Sequence, residues 1–417
     1  MTTGNQSTAR TPAPLVLTEE QEERARRLHR ESLVFVSHDH EIRAEDIALM
    51  RAGGVTAKQL QLSLDGQIWA DLDTYLSSAP RVSLQREYQR KLDEGSAAAH
   101  YAKLLERAPE SATSTGFLRR ALVALDYVMW QVERSEGKLR IAFEPADIVG
   151  AKRDGASILV LGSEGARLIE ERFEVLRVLV RFGLRHLAIS WAWDTPVGAP
   201  QSDRSGRGLT DYGKNLVREL NRLGVIVDVA HLARRSIWDV LEATRAPIHM
   251  AHSGAEALNP EQGKTVLLPD DMLKAIAAQG GVVGVHFMSH FVKPGRDQAS
   301  VADLVRQLEY LTELIGSEHV ACSPDYLKLD PRTWENQGLA GPLPFSYPPG
   351  LADIGGFLNV TRGMVAGGFT DRDITNILGA SLLRLFTGVR ACAASTPADY
   401  SPQPRRIGDA TEGTTPW

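Results

Sequence analysis

Eight short apolar runs, most of them followed by an amphipathic helical pattern, constrain this sequence more than any other feature. They read LVFVS (33–37), VTAKQLQLSL (55–64), SILVLGS (157–163), HLAISW (186–191), VIVDVA (225–230), IHMA (248–251), VVGVHFM (282–288) and HVACSP (319–324). Segments such as DYGKNLVRELNRLG and VADLVRQLEYLTELIG stand between them with helical periodicity. Short buried strands alternating with helices predict an α/β fold, a (β/α)8 TIM barrel, ahead of a doubly wound open sheet. The first strand-to-helix turn has no glycine-rich phosphate loop, which counts against a nucleotide fold.

The 417 residues fit one such barrel with insertions. The barrel is expected over 15–390. The stretch from about 65 to 150 is too long for one strand–helix unit. Its charged helical patterns, VSLQREYQRKLDEG and GFLRRALVALDYVMWQVERSEG, predict a helical insertion after the second strand, over the barrel mouth or along its side. Residues 1–14 and 391–417 are rich in Pro, Ser, Thr and Gly without periodicity, and read as disordered tails.

Charge and cysteine content exclude several functions. The net charge is −5 with no long basic block, which argues against nucleic acid as a partner. Two cysteines, Cys322 and Cys392, cannot build a disulfide framework or a Cys-rich zinc or iron–sulfur site, so a metal would need His, Asp and Glu. The N-terminus lacks the apolar core of a secretory signal, and no uninterrupted apolar run reaches bilayer length. The expectation is a cytoplasmic protein with no membrane partner. The Arg- and Ala-rich composition hints at a high-GC bacterial source.

A barrel of this kind carries its chemistry at the C-terminal ends of the strands. Those ends hold His38 and His40 after the first run, Glu164 after the third, His231 after the fifth, His252 after the sixth and Asp325 after the eighth. Each alone has an ordinary explanation: a polar strand-end His, a first-turn carboxylate, a helix cap. All six at the same end of different strands point to a metal site. Strand alternation puts His38 and His40 on one face and Asp39 on the other. His286 and His290 are left between barrel interior and helix layer. His29, His100, His186, His249 and His319 read as surface or strand-edge residues, and Trp191 and Trp193 fall near the mouth.

These segments resemble the membrane (renal) dipeptidase family, zinc metallopeptidases on a (β/α)8 barrel of the metallo-dependent hydrolase type. The resemblance runs from about 30 to 388. It is carried by GLTDYGKNLVRELNRLGVIVDVAHLARRSIWDVLEATRAPIHMAHSGAEAL (208–258), SEGARLI (163–169), SPDY (323–326), LLPDDMLKAIAAQGGVVGVHF and ILGASLLRLF. It implies a two-metal site. Glu164 would bridge both ions, His38 and the residue two later would hold one, His231 and His252 the other, and Asp325 would orient or deprotonate the shared water. The implied cofactor is a pair of divalent metals, zinc first, with Fe, Mn or Cu as alternatives. Two such ions lower the pKa of a shared water and polarise a carbonyl. The implied partner is a small-molecule substrate; a homodimer is left open.

Three positions depart from the family pattern. His40 stands where the family has Asp, so an imidazole replaces a carboxylate and Asp39 turns away. Trp191 stands where the family has a substrate-contacting His. Val266 falls about where the family has a carboxylate-binding Arg, with Lys264 the nearest cation and Glu256 where relatives often carry Arg. Metal-type residues kept and substrate-reading residues changed predict a repurposed enzyme. The first expectation is a metal-dependent hydrolase of an amide or peptide-like C–N bond in a non-standard substrate, lined by Trp191 and Trp193. The alternatives are a non-hydrolytic metalloenzyme (lyase, decarboxylase, or Fe- or Cu-dependent oxidase) in specialised metabolism, and a binding scaffold with a vestigial site.

Overall fold

A computed structural model describes residues 15–40, 44–65, 116–191, 195–201, 203, 205–262, 266–295, 298–326 and 346–395. Nine strands appear among them: β1 (Phe35–Asp39), β2 (Ala57–Leu64), β3 (Leu139–Ile141), β4 (Ser157–Glu164), β5 (His186–Ala188), β6 (Ile226–Asp228), β7 (His249–Ser253), β8 (Val282–His286) and β9 (Val320–Ser323). Eight pair in the order β1-β2-β4-β5-β6-β7-β8-β9, every pair parallel. Beyond β9 the chain returns to β1, where the Asp325 N–H donates to the His38 carbonyl at 3.2 Å. The result is a nearly closed parallel barrel, and each of the eight apolar runs contributes one of its strands.

The ninth strand, β3, was not expected. It pairs with β4 through Leu139–Ser157 and Ile141–Leu159, on a stretch of β4 before β5 takes over at Glu164–Ala188. Three residues are too few to show alternation, which is why the pattern does not announce it. The expected insertion therefore contains a strand as well as helices. Its described part comprises helix Gly116–Arg134, β3 and helix Pro145–Asp154; residues 66–115 lie outside the described residues.

Amphipathic helices clothe the sheet. Helix Asp211–Leu223 starts on a Thr210 side-chain cap and stops at Gly224, which adopts the left-handed conformation. It buries Leu216, Val217 and Leu220 against Val225 and Val227. Helix Ser381–Ala394 plugs the far side with Leu382, Leu385, Phe386 and Val389, packed among Phe35, Ile226, Val282 and Ala321. A Cβ on Gly379, just before it, would sit 2.5 Å from the Leu33 carbonyl, so only glycine permits this approach to β1. The helix runs to Ala394, past the residue 391 at which the tail was expected; 1–14 and 396–417 are outside the described residues.

Among the described residues, the helical stretch Asp371–Ala394, though interrupted by Arg384 and Arg390, is long and apolar enough to cross a membrane by length and composition. Its Leu385, Phe386 and Val389 are nevertheless buried in the protein core, as a core helix requires.

Inside the barrel the side chains are unusually polar. Ser37, Gln59, His186, Asp228 and His249 are all fully buried. Ser37 on β1 reaches His249 on β7, a strand it does not pair with, and this contact crosses the lumen. His186 and His249 are thus not surface or edge residues. Strands of a parallel barrel are buried on both faces, so a His at a strand start is enclosed whichever way it points.

Candidate metal centre

Six side chains expected from the sequence meet at the C-terminal mouth of the barrel. Glu164, at the end of β4, lies at the middle with 3% exposure. Its Oε1 is 2.7 Å from His231 Nε2 and 3.6 Å from His252 Nε2. Its Oε2 is 3.3 Å from His40 Nε2 and 3.7 Å from His38 Nε2. Each carboxylate oxygen therefore faces its own pair of histidines. Asp325 Oδ1 adjoins the second pair, 3.2 Å from His40 and 3.8 Å from His38.

Within each pair the imidazoles point Nε2 to Nε2, at 3.2 Å for His38–His40 and 2.8 Å for His231–His252. Two ring-nitrogen lone pairs repel at that range unless a proton or a cation lies between them. The donor set is imidazole and carboxylate, with no thiol. That suits zinc and its neighbours among the divalent transition metals, so these residues fit the group the sequence implied.

Electrostatics agree. Burial disfavours a charge on His38, but the Glu164 and Asp325 carboxylates outweigh it and raise its pKa to about 9. Burial likewise opposes ionised Glu164, and His38 and His231 hold it well below the usual carboxylate range. Asp325 is held down against burial by its His286 and His40 contacts. His252 is driven well below the usual imidazole range by burial and by His38. The centre keeps its carboxylates ionised and draws positive charge.

The backbone supports this convergence. His231 and Asp325 have φ of 63° and 49°, left-handed values that cost a non-glycine residue free energy. Asp325 is pinned there by its N–H to His38 and by the Tyr347 hydroxyl, which donates to its carbonyl at 2.8 Å. His231 is held by the Gln201 N–H on its carbonyl at 2.8 Å. Neither strained position is visible in a pattern of residue types.

Around the centre lie residues that sequence reasoning missed. His286 Nε2 is 3.2 Å from Asp325 Oδ2, and the Met288 N–H donates to its Nδ1 at 3.2 Å. That backbone donor leaves the ring proton on Nε2, aimed at Asp325. His286 thus faces the site, and its place in the last residue of β8, at the same barrel end as the others, was the available signal. Asp39 faces away from the centre; neighbouring Ser37 and His38 both face inward, so a register shift between Val36 and Asp39 interrupts the alternation of β1. Its Oδ2 accepts from the buried Lys58 Nζ at 2.7 Å and its Oδ1 from the His40 N–H at 3.0 Å, which fastens the end of β1.

Of the expected substrate-side residues, Trp191 packs beside the centre with its ring 5.9 Å from that of His231. Trp193 and Lys264 lie outside the described residues, as does His100. Val266 is buried, and Glu256 pairs with Arg234 at 2.6 Å. His29 is buried between Thr361 and the Gly53 carbonyl, and His319 bonds the Gly281 carbonyl.

Comparison with known proteins shows the family. A family model described as membrane dipeptidase (peptidase family M19) matches residues 23–399. An uncharacterized dipeptidase of Schizosaccharomyces pombe is 28% identical over 281 residues, 66% of this chain and 63% of that protein. Dipeptidase tcpJ of Claviceps purpurea is 25% identical over 280 residues, 67% and 62% of the two chains. The match thus spans less than two thirds of the length of these curated relatives. Among solved structures, the probable dipeptidase PvdM from Pseudomonas aeruginosa superposes with TM-score 0.70 at 17% identity, covering 90% of this chain and all of that one. A metallo peptidase from Rhodobacter sphaeroides, liganded with a phosphinate mimic of L-Ala-D-Ala, gives 0.64 at 21% identity, covering 86% and 100%. At these identities the structural likeness speaks for the fold.

Proposed function

The chain belongs to the membrane dipeptidase family, and from that premise we propose that it is a metal-dependent hydrolase of an amide-type C–N bond in a small, non-standard substrate. The observation that carries this reading is the division of Glu164: one buried carboxylate whose two oxygens each face a pair of imidazole nitrogens. His38, His40 and Glu164 Oε2 would hold one divalent cation, and His231, His252 and Glu164 Oε1 a second, zinc being the first expectation. Such a pair, when bound, supplies an acidified water and a polarised carbonyl.

The chain's own residues do the rest. Asp325 has one oxygen toward the His38–His40 side and the other held by His286. It accepts a proton on Oδ1 and releases it to the departing amine. The His286 Nε2–H keeps Asp325 ionised and fixes which oxygen is free. Trp191, beside His231, narrows the pocket with an apolar face and one N–H donor. Trp191 and buried Val266 stand at the positions where the family pattern has His and Arg, and neither offers a dipeptide carboxylate a charged fork. This favours a more apolar or aromatic amide.

The test combines metal analysis with a substrate panel. About two zinc per chain, little turnover of simple dipeptides and turnover of aromatic N-acyl or blocked amides would support the reading. Trp191→His should then raise dipeptide hydrolysis by up to about 10². Full activity of the parent on simple dipeptides would overturn the substrate assignment. One redox metal per chain would favour the non-hydrolytic alternative, whose motive is the extra imidazole of His40.

A further inference from the structure

The barrel interior beneath the metal centre carries a hydrogen-bond chain whose proton positions can be worked out from one fixed point. Ser37 Oγ–H donates to the Ala251 carbonyl at 2.6 Å, because a carbonyl can only accept. The remaining Ser37 lone pairs therefore accept from His249 Nε2 at 3.0 Å. That leaves His249 Nδ1 without a proton, so the His186 Nε2, 3.3 Å away, carries one, with Asp228 Oδ2 close by at 3.4 Å but not hydrogen-bonded. His186 Nδ1 must then be a bare acceptor. It is buried and unpartnered among the described residues, and so is Gln61 Oε1.

These two orphans crowd one spot. A Cβ on Gly162 would lie 2.8 Å from both Gln61 Oε1 and His186 Nδ1. Two acceptors facing one pocket without a donor is an unfavourable arrangement. At its other terminus the same amide presents Nε2 to His38 Nδ1 at 3.1 Å. His38 turns Nε2 toward Glu164 and Asp325. If that nitrogen is a ligand, the proton of the neutral ring sits on Nδ1, and the Gln61 NH2 would meet a donor. The oxygen and nitrogen of a side-chain amide are assigned from hydrogen bonding, not shape. A half-turn of the Gln61 amide turns an acceptor toward His38 Nδ1 and a donor toward the side on which His186 Nδ1 lies.

We propose that Gln61 is a positioning residue for the metal centre: its Oε1 accepts from His38 Nδ1–H and its Nε2 donates to His186 Nδ1, tying a metal ligand to the His186–Asp228 pair in the barrel core. The arrangement fixes the His38 tautomer and ring orientation, the role that carboxylates or carbonyls play behind metal-bound histidines elsewhere. Gly162 is the space that lets the amide reach both rings. The inference rests on the reading of His38 as a ligand.

The test measures Zn²⁺ affinity by chelator competition for the parent, Gln61→Leu and Gln61→Glu, with circular dichroism to confirm folding. Glutamate keeps the acceptor toward His38 and loses the donor toward His186. Gln61→Leu should weaken zinc binding by about 10- to 100-fold, and Gln61→Glu should stay within about threefold of the parent. A leucine variant that binds as the parent does, or a glutamate variant as weak as leucine, overturns the assignment. ¹⁵N spectra of histidine-labelled, zinc-loaded parent give an independent reading if the leucine variant does not fold: His38 must be protonated at Nδ1, and an unprotonated Nδ1 refutes the proposal. A parent that binds no zinc would instead sink the metal-site reading; a parent that binds zinc beside variants that bind equally well sinks only the role of Gln61.

Discussion

Glu164→Gln tests the proposed metal centre most directly, because it removes one charge and almost no volume. Glu164 is nearly fully buried, so bulk water screens it little, and its two oxygens approach four imidazole nitrogens between 2.7 and 3.7 Å. A unit charge acting on a unit charge about 4 Å away, at an effective dielectric near 20, contributes about 4 kcal/mol. A divalent cation held at comparable range feels at least that. The amide should therefore cost roughly three decades of affinity, on both sides of the centre, since both histidine pairs share this one carboxylate. The assay is metal stoichiometry after dialysis against a chelator of graded strength, alongside a thermal melt to establish folding. The parent should keep about two equivalents where the variant keeps about none. A folded Glu164→Gln that retains both metals, with affinity within about tenfold of the parent, would refute the bridging role of Glu164.

Further outcomes follow from the same geometry. His40→Ala should lower stoichiometry from about two metals to one, because it takes from Glu164 Oε2 the nearer of its two imidazoles and leaves the His231–His252 side whole; unchanged metal content would show that His40 is not a ligand. The chelator-treated protein should lose stability as pH rises from about 6.5 through about 9, since His38 is raised in the folded chain and its contribution is complete only below its unfolded value. The lowered Glu164 and Asp325 give the opposite sign, contributing above the usual carboxylate range and failing as acid protonates them. Zinc should reverse the alkaline loss, because metal and proton compete for the same nitrogens; melts with and without zinc, run from below the usual carboxylate range up to about pH 9, check both signs. Lys58→Met should cost about 3–5 kcal/mol by stranding the buried Asp39 carboxylate, and pairing it with Asp39→Asn should recover most of that in urea denaturation.

Much of this protein is legible along the chain. The eight strands of the barrel, their order and the convergence of His38, His40, Glu164, His231, His252 and Asp325 all follow from where apolar runs end. His38 and His40 do part from Asp39 as expected, although a register shift between Val36 and Asp39 interrupts the alternation on which that expectation rested. Less was visible where a residue's environment depends on a distant strand. His186 and His249 look like edge residues because they stand at or next to the start of short runs, yet they are enclosed across the lumen from Ser37. Gln59 and Gln61 alternate in β2 like any polar face. Nothing local says that this face looks inward, or that Gln61 reaches His38.

The division has a physical cause. Periodicity and strand order are properties of neighbouring residues, so burial on both faces of a parallel strand leaves its mark in the residue types themselves. Contacts across the barrel depend on closure and stagger, which bring β1 against β7 and β9 back to β1 although neither neighbourhood is encoded in adjacent positions. The left-handed backbone at His231 and Asp325, the contact of Gln61 with His38 and the aim of His286 at Asp325 arise only once that closed barrel holds them in place.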